Sequence, residues 1–183
     1  MRAGSRILAC VALYAALAPF PAFRSTALAQ DGPRPSQLAS VTQHINQTKV
    51  TLEFSRPVAR GRELFGQLVP WSKVWTPGAN DATTITVSTG VQVNGQALPA
   101  GTYTVWSEPQ PERWTIIFNS AHPVWHLRYD EAAGKDVLRV TAMPREGAHM
   151  ESLAWYFPVV DGRRAELVVH WGKVVVPLQI DVP

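Results

Sequence analysis

The chain has little with which to staple or anchor itself. Its single cysteine is Cys10, near the start, so the rest of the sequence can form no disulfide of its own, hold no thiolate metal site and present no cysteine nucleophile. No apolar run reaches the roughly 20 residues that a membrane-spanning helix needs. There is no Gly-x-Ser-x-Gly elbow, no phosphate-cradling glycine loop and no nucleotide fingerprint. Beyond residue 29, no stretch keeps a helical apolar period for three turns. These absences leave a domain that must stabilise itself through an apolar core built from something other than helices.

The first segment has the form of an export signal. Arg2 and Arg6 precede a short apolar run from Ile7 to Ala18, and Ala27-Leu28-Ala29 offers small residues where a signal peptidase reads them. Residues 1–29 are expected to be removed before Gln30, which gives a periplasmic or secreted location. With Arg2, Arg6 and Arg24 gone, the 17 Lys+Arg and 14 Asp+Glu of the whole chain become 14 against 14. A neutral mature chain gives no footing for a nucleic-acid partner, and no stable membrane insertion is expected after cleavage. The remaining length, about 150 residues, suffices for one core.

Residues 30–38, with Asp31-Gly32-Pro33-Arg34-Pro35-Ser36, lack apolar periodicity and read as a flexible lead-in to a single domain over 39–183. Alternation then dominates. Val50, Leu52 and Phe54 form one set; Ile85 and Val87, Trp114, Ile116 and Phe118, and Leu138, Val140 and Ala142 form others. Leu153, Trp155 and Phe157, then Leu167, Val169 and Trp171, then Val174, Val176, Leu178 and Ile180 complete the series. Period two indicates strands with one buried face. Asn94-Gly95 marks a tight hairpin, Asp161-Gly162 another turn, and Trp171-Gly172-Lys173 a link between the last two runs. The expected fold is all-β, an antiparallel sandwich or else an open barrel, with about nine or ten strands.

One connection breaks this rhythm. Ser55 to Thr84 holds two Trp, three Arg, three Gly and three Pro, and a loop of that length in a compact domain is expected to be ordered and used. Within it, Arg56 and Arg62 offer guanidinium forks for a carboxylate or phosphate. Trp71 and Trp75 offer flat rings for a sugar or a Pro-rich peptide. Asn80 and Asp81, in Gly78-Ala79-Asn80-Asp81, present an amide and a carboxylate suited to sugar hydroxyls, or else bond their own backbone and shape a turn. These six residues are the candidate ligand-binding set. No cofactor and no metal site are expected. His122 and His126 would share a face only on a helix, which Pro123 opposes, and zinc needs a third ligand.

Ser55-Arg56-Pro57, Gly61-Arg62, Phe65-Gly66, Leu68-Val69-Pro70, Val74-Trp75 and Gly78-Ala79-Asn80 occur in order, followed by Leu98-Pro99-Ala100-Gly101-Thr102-Tyr103 and Asp136-Val137-Leu138-Arg139-Val140. From about Ser40 onwards the chain thereby resembles the exported bacterial family catalogued as domain of unknown function 2911. The resemblance implies an envelope or secreted location and carries no activity, substrate or cofactor with it. Where the family usually reads Trp-Arg-Thr-Gly-Ala-Asn-Glu, this chain has Trp75-Thr76-Pro77-Gly78-Ala79-Asn80-Asp81, with a basic residue missing and a shorter acid. Three functions are compatible with these residues. The leading one is a non-catalytic binding module for a glycan, peptide or envelope protein. A hydrolase of an envelope polymer, using Asp81 with a second acid or a His, is another, and a purely structural envelope module is the third.

Overall fold

A computed structural model describes residues 34–183. The expected export signal at 1–29, and the first residues of the lead-in, lie outside the described residues. The elements run β1 (Gln37–Ile45), β2 (Thr48–Arg56), β3 (Thr84–Val87), β4 (Val91–Val93), β5 (Gln96–Leu98), β6 (Gly101–Pro109), β7 (Trp114–Asn119), α1 (Tyr129–Ala132), β8 (Asp136–Ala142), β9 (Arg145–Asp161) and β10 (Arg164–Asp181). They form two antiparallel sheets, six strands in the order β1-β2-β3-β6-β7-β8 and four in the order β5-β4-β10-β9. This is the expected sandwich. β1 opens at Gln37, two residues ahead of the expected domain start, because Gln37 and Leu38 already pair with Arg56 and Ser55.

The alternating residues supply the core. Leu52, Ile85, Ile116 and Phe118 from the larger sheet meet Leu153, Leu167, Val176, Leu178 and Ile180 from the smaller one, all buried. Asn94 and Gly95 both take positive φ, +47° and +77°, the geometry that the β4–β5 hairpin requires. β10 doubles back on itself. A straight strand of 18 residues would hold its ends about 60 Å apart, yet the Val182 N–H donates to the Arg163 carbonyl at 2.9 Å and Arg164 Nε to Asp181 Oδ1 at 2.8 Å. The reversal lies at Gly172, φ +58°, and there the inward set switches from odd residues (Leu167, Val169, Trp171) to even ones (Val176, Leu178, Ile180). A Cβ at Gly172 would sit 2.8 Å from Leu64 Cδ1 of the long loop, so the loop packs directly onto this turn.

A second, smaller core covers the outer face of the larger sheet. Trp106 and Ile117, which point away from the main core, pack with Ala82, Val124, Ala132 and Tyr129. Sequence placed Trp106 outside the clean inward sets; it is fully buried under the segment 120–135, its Nε1 donating to Thr104 Oγ1 at 2.9 Å. Asp136 ties that segment down. Its carboxylate accepts from Asn119 Nδ2 (2.7 Å), Tyr129 Oη (2.8 Å) and Arg139 Nη2 (2.7 Å).

Burial pushes the Asp136 carboxyl up, but these three hydrogen bonds and the Arg139 charge outweigh it and hold its pKa below the usual carboxylate value. A depressed folded-state pKa gives stability that is fully present above the unfolded value, about 3.9, and is lost as pH falls through the folded value. Asp136→Asn is therefore expected to lower the melting temperature at neutral pH and to flatten its fall below about pH 4. Melting curves of both proteins from pH 7 to pH 3 check this; parallel acid limbs would exclude Asp136 as a contributor.

Candidate cleft at the end of the sandwich

The long loop is stitched to both sheets. Residues 57–59 run along β9, with Ala59 N–H donating to Glu151 O (2.8 Å) and Leu153 N–H to Pro57 O (2.9 Å). Residues 72–75 run along β6 where β3 has ended, Trp75 and Ser107 exchanging bonds of 2.8 and 2.7 Å. Between these two anchors, Phe65 sits among four indoles. Its ring centroid lies 6.1 Å from Trp71, 6.2 Å from Trp75, 5.1 Å from Trp114 and 6.3 Å from Trp171. Trp75 also stacks on Trp171 at 6.1 Å with 16° between planes.

A cleft of about 410 Å³ opens beside this cluster. Trp75 and Trp171 form its apolar floor, Leu68 and Leu127 its rim, and Arg60, Arg62 and His126 its polar walls. Leu127 is 73% exposed. Arg62 is fixed against the loop backbone by bonds from Nε to Ala59 O (2.9 Å) and from Nη2 to Val58 O (2.6 Å). Among the described residues the Arg60 guanidinium has no hydrogen-bond or ion-pair partner. Its backbone, at φ +53°, is held instead by a bond from Arg60 N–H to Glu151 Oε1 at 2.6 Å. Glu151 titrates below its ordinary value, chiefly through the bond from His149, with the Arg60 N–H and the Arg62 charge adding to it.

His126 enters from the segment 120–135. Its backbone N–H and its ring Nδ1 both lie on the Asn80 carbonyl, at 2.9 and 2.5 Å. A carbonyl only accepts, so Nδ1 carries a proton towards it and Nε2 takes no part in that bond. A cleft with two guanidinium groups, one of them fixed, an apolar floor and one imidazole can hold an anionic group joined to an apolar or ring-shaped body. It does not bring acids together. Among the described residues, no group of three or more His, Cys, Asp and Glu is placed to hold a metal ion.

The six sequence candidates divide. Arg62 and Trp75 line this cleft. Asn80 and Asp81 line an adjacent hollow of about 270 Å³ with Arg34 and Ser36. Asn80, at φ +62°, donates its amide Nδ2 to Ser36 O and Ser55 Oγ, both at 3.0 Å, which ties the turn to the start of β1 and the end of β2 and not to its own backbone. Asp81 meets Arg34 Nη1 at 3.3 Å, not a second acid or a histidine. Arg56 lines neither hollow; its Nε donates to Leu153 O at 2.9 Å and joins the loop to β9. Trp71, 37% exposed, lies on Phe65 outside both. Arg60, Leu68, His126, Leu127 and Trp171 also line the cleft and are outside the six candidates. Trp171 was readable only as an inward strand residue, and His126 only as half of a metal pair.

No curated protein and no solved structure matches the chain significantly. The model of the family described as protein of unknown function (DUF2911) matches residues 36–180, a span that contains Arg60, Arg62, Trp75, His126 and Trp171. The chain belongs to that family.

Proposed function

We propose that the chain is an exported, non-catalytic binding module whose cleft takes a carboxylate-bearing glycan fragment of the cell envelope. The observation that carries this reading is the Arg60 guanidinium, unspent among the described residues and set beside fixed Arg62 at the mouth of an apolar, indole-floored cleft. A guanidinium fork offers a carboxylate two parallel charge-assisted bonds. Trp75, Trp171 and the leucine rim cover the apolar face of a sugar ring or a short peptide stem.

The test separates binding from folding. Arg60→Ala removes no intramolecular bond of its side chain, so its melting temperature should match the parent closely. Hydrogen bonds to charged groups contribute about 1.5–3 kcal/mol, so affinity for muropeptides should fall at least about tenfold, and binding should weaken with added salt. Calorimetric titration of both proteins with muropeptides and with neutral chito-oligosaccharides reads this out. Equal affinities would remove Arg60 from the site. Heat-free titrations of the parent with every fragment would favour the structural module, which the stitching of the loop into both sheets also supports.

A further inference from the structure

β1 is an outer strand of the six-stranded sheet, and among the described residues it is unguarded. Its pairing with β2 runs without a register shift from Gln37↔Arg56 to Ile45↔Thr48. The two-residue turn Asn46-Gln47 makes Ile45↔Thr48 a hydrogen-bonded pair, and hydrogen-bonded pairs then recur at every second position. The backbone groups of Leu38, Ser40, Thr42 and His44 therefore point away from β2. Among the described residues, one bond reaches this row from a side chain, Gln43 Nε2 to His44 O at 2.8 Å, and no backbone bond from another element does.

Outer strands are ordinarily protected by lysine, proline, a bulge or a covering loop. β1 reads Gln-Leu-Ala-Ser-Val-Thr-Gln-His-Ile, with no Lys, Arg, Asp, Glu or Pro. The opposite outer strand, β8, is guarded in the usual way. It carries Asp136 and Arg139, has a register shift beside Asn119, and its Thr141 carbonyl is taken by Asn94 Nδ2 at 2.8 Å.

We propose that β1 pairs antiparallel with β1 of a second copy of this chain, Val41 facing the partner's Val41 on a two-fold axis. In an isologous contact residue i of one copy meets residue j of the other and j meets i, so only the axial residue faces its own copy; β1, formally uncharged, sets no like charges against each other. The open row is symmetric about Val41. Leu38 falls opposite the partner's His44, and Ser40 opposite the partner's Thr42. All the outward N–H and C=O groups then find partners, making about eight inter-chain hydrogen bonds. The exposed Leu38, 77% accessible in the single chain, gains a neighbour at each end of the junction. The two sheets become one continuous sheet, whose junction ends at Leu38, in the hollow next to the cleft; the pairing does not rest on the functional reading of the cleft.

Light scattering after size exclusion of the exported chain tests the pairing. The parent should run at twice the chain mass at about 100 µM and shift towards the single-chain mass on dilution. Ser40→Lys with Thr42→Lys sets lysine against lysine on both sides of the axis and should weaken the dimer at least tenfold. Ser40→Lys with Thr42→Glu sets each lysine against a glutamate and should restore it. Melting curves confirm that both variants remain folded, since residues 40 and 42 are exposed. A monomeric parent, a dimeric Lys/Lys variant, or a Lys/Glu variant that stays monomeric would each overturn the proposal; the last also removes the case where any charge on the strand prevents pairing with an unrelated protein.

Discussion

Trp75→Ala is expected to lower the unfolding free energy by about 3 kcal/mol. The indole contacts Trp171, Trp114 and Phe65, so its removal opens a hole where loop, larger sheet and smaller sheet meet. It is partly exposed, which keeps the cost near the lower end of the range for a large aromatic. The backbone bonds between Trp75 and Ser107 persist in the variant, so the loss belongs to the side chain. Chemical denaturation with an unchanged slope and a lower midpoint is the expected result. A loss under about 1 kcal/mol would mean that the loop is not part of the folded core.

Gly78→Ala is the second large effect, at about 2–3 kcal/mol. Gly78 is buried, and a Cβ there would lie 2.5 Å from Thr83 Oγ1 and 3.5 Å from the Ser55 carbonyl. Thr83 cannot step aside freely. Its hydroxyl donates to Pro77 O at 2.9 Å, and its N–H donates to Thr76 Oγ1 at 3.0 Å, inside a turn with no room. Trp155 Nε1 closes the same turn from β9, donating to Pro77 O at 3.0 Å. Movement of Thr83 therefore disturbs Thr76, Pro77 and Trp155 together. Gly78→Ala combined with Thr83→Ala should regain part of the loss, because the clash and not backbone strain is its cause; equal losses in the single and double variants would point to the turn itself.

Local chemistry made much of the fold legible. Period-two apolar runs mark β2, β3, β7, β8 and both arms of β10, because a residue's face in a strand is set by parity alone. Asn94-Gly95 and Gly172 mark turns because they accept positive φ. β1 was not legible in the same way. Its inward positions are Ala39, Val41, Gln43 and Ile45, two of them small or polar, so its alternation is muted, and it is a strand because β2 supplies the partner. The first part of β9, Arg145 to Met150, is hidden for the same reason. Its residues are largely polar, and they pair with β10 beyond the Gly172 reversal.

The site divides along another line. The long loop rich in Arg, Trp and Gly supplies Arg62 and Trp75 to the cleft. Which polar groups remain available is a three-dimensional matter. Arg56 Nε is held by a carbonyl 97 positions away and the Asn80 amide nitrogen by Ser36 and Ser55, while the Arg60 guanidinium has no partner among the described residues. His126 reaches the cleft only because Asn80, 46 positions earlier, presents a carbonyl to it.

The most direct measurement is a nuclear magnetic resonance titration that follows the arginine Nε and tryptophan Nε1 signals as muropeptide is added. The account predicts saturable shifts at Arg60, Arg62, Trp75 and Trp171, with Arg34, Arg56, Trp106 and Trp125 unmoved. Shifts centred on Arg34 and Trp125, or no shift at Arg60 and Trp75 while the fragment binds elsewhere, would contradict it.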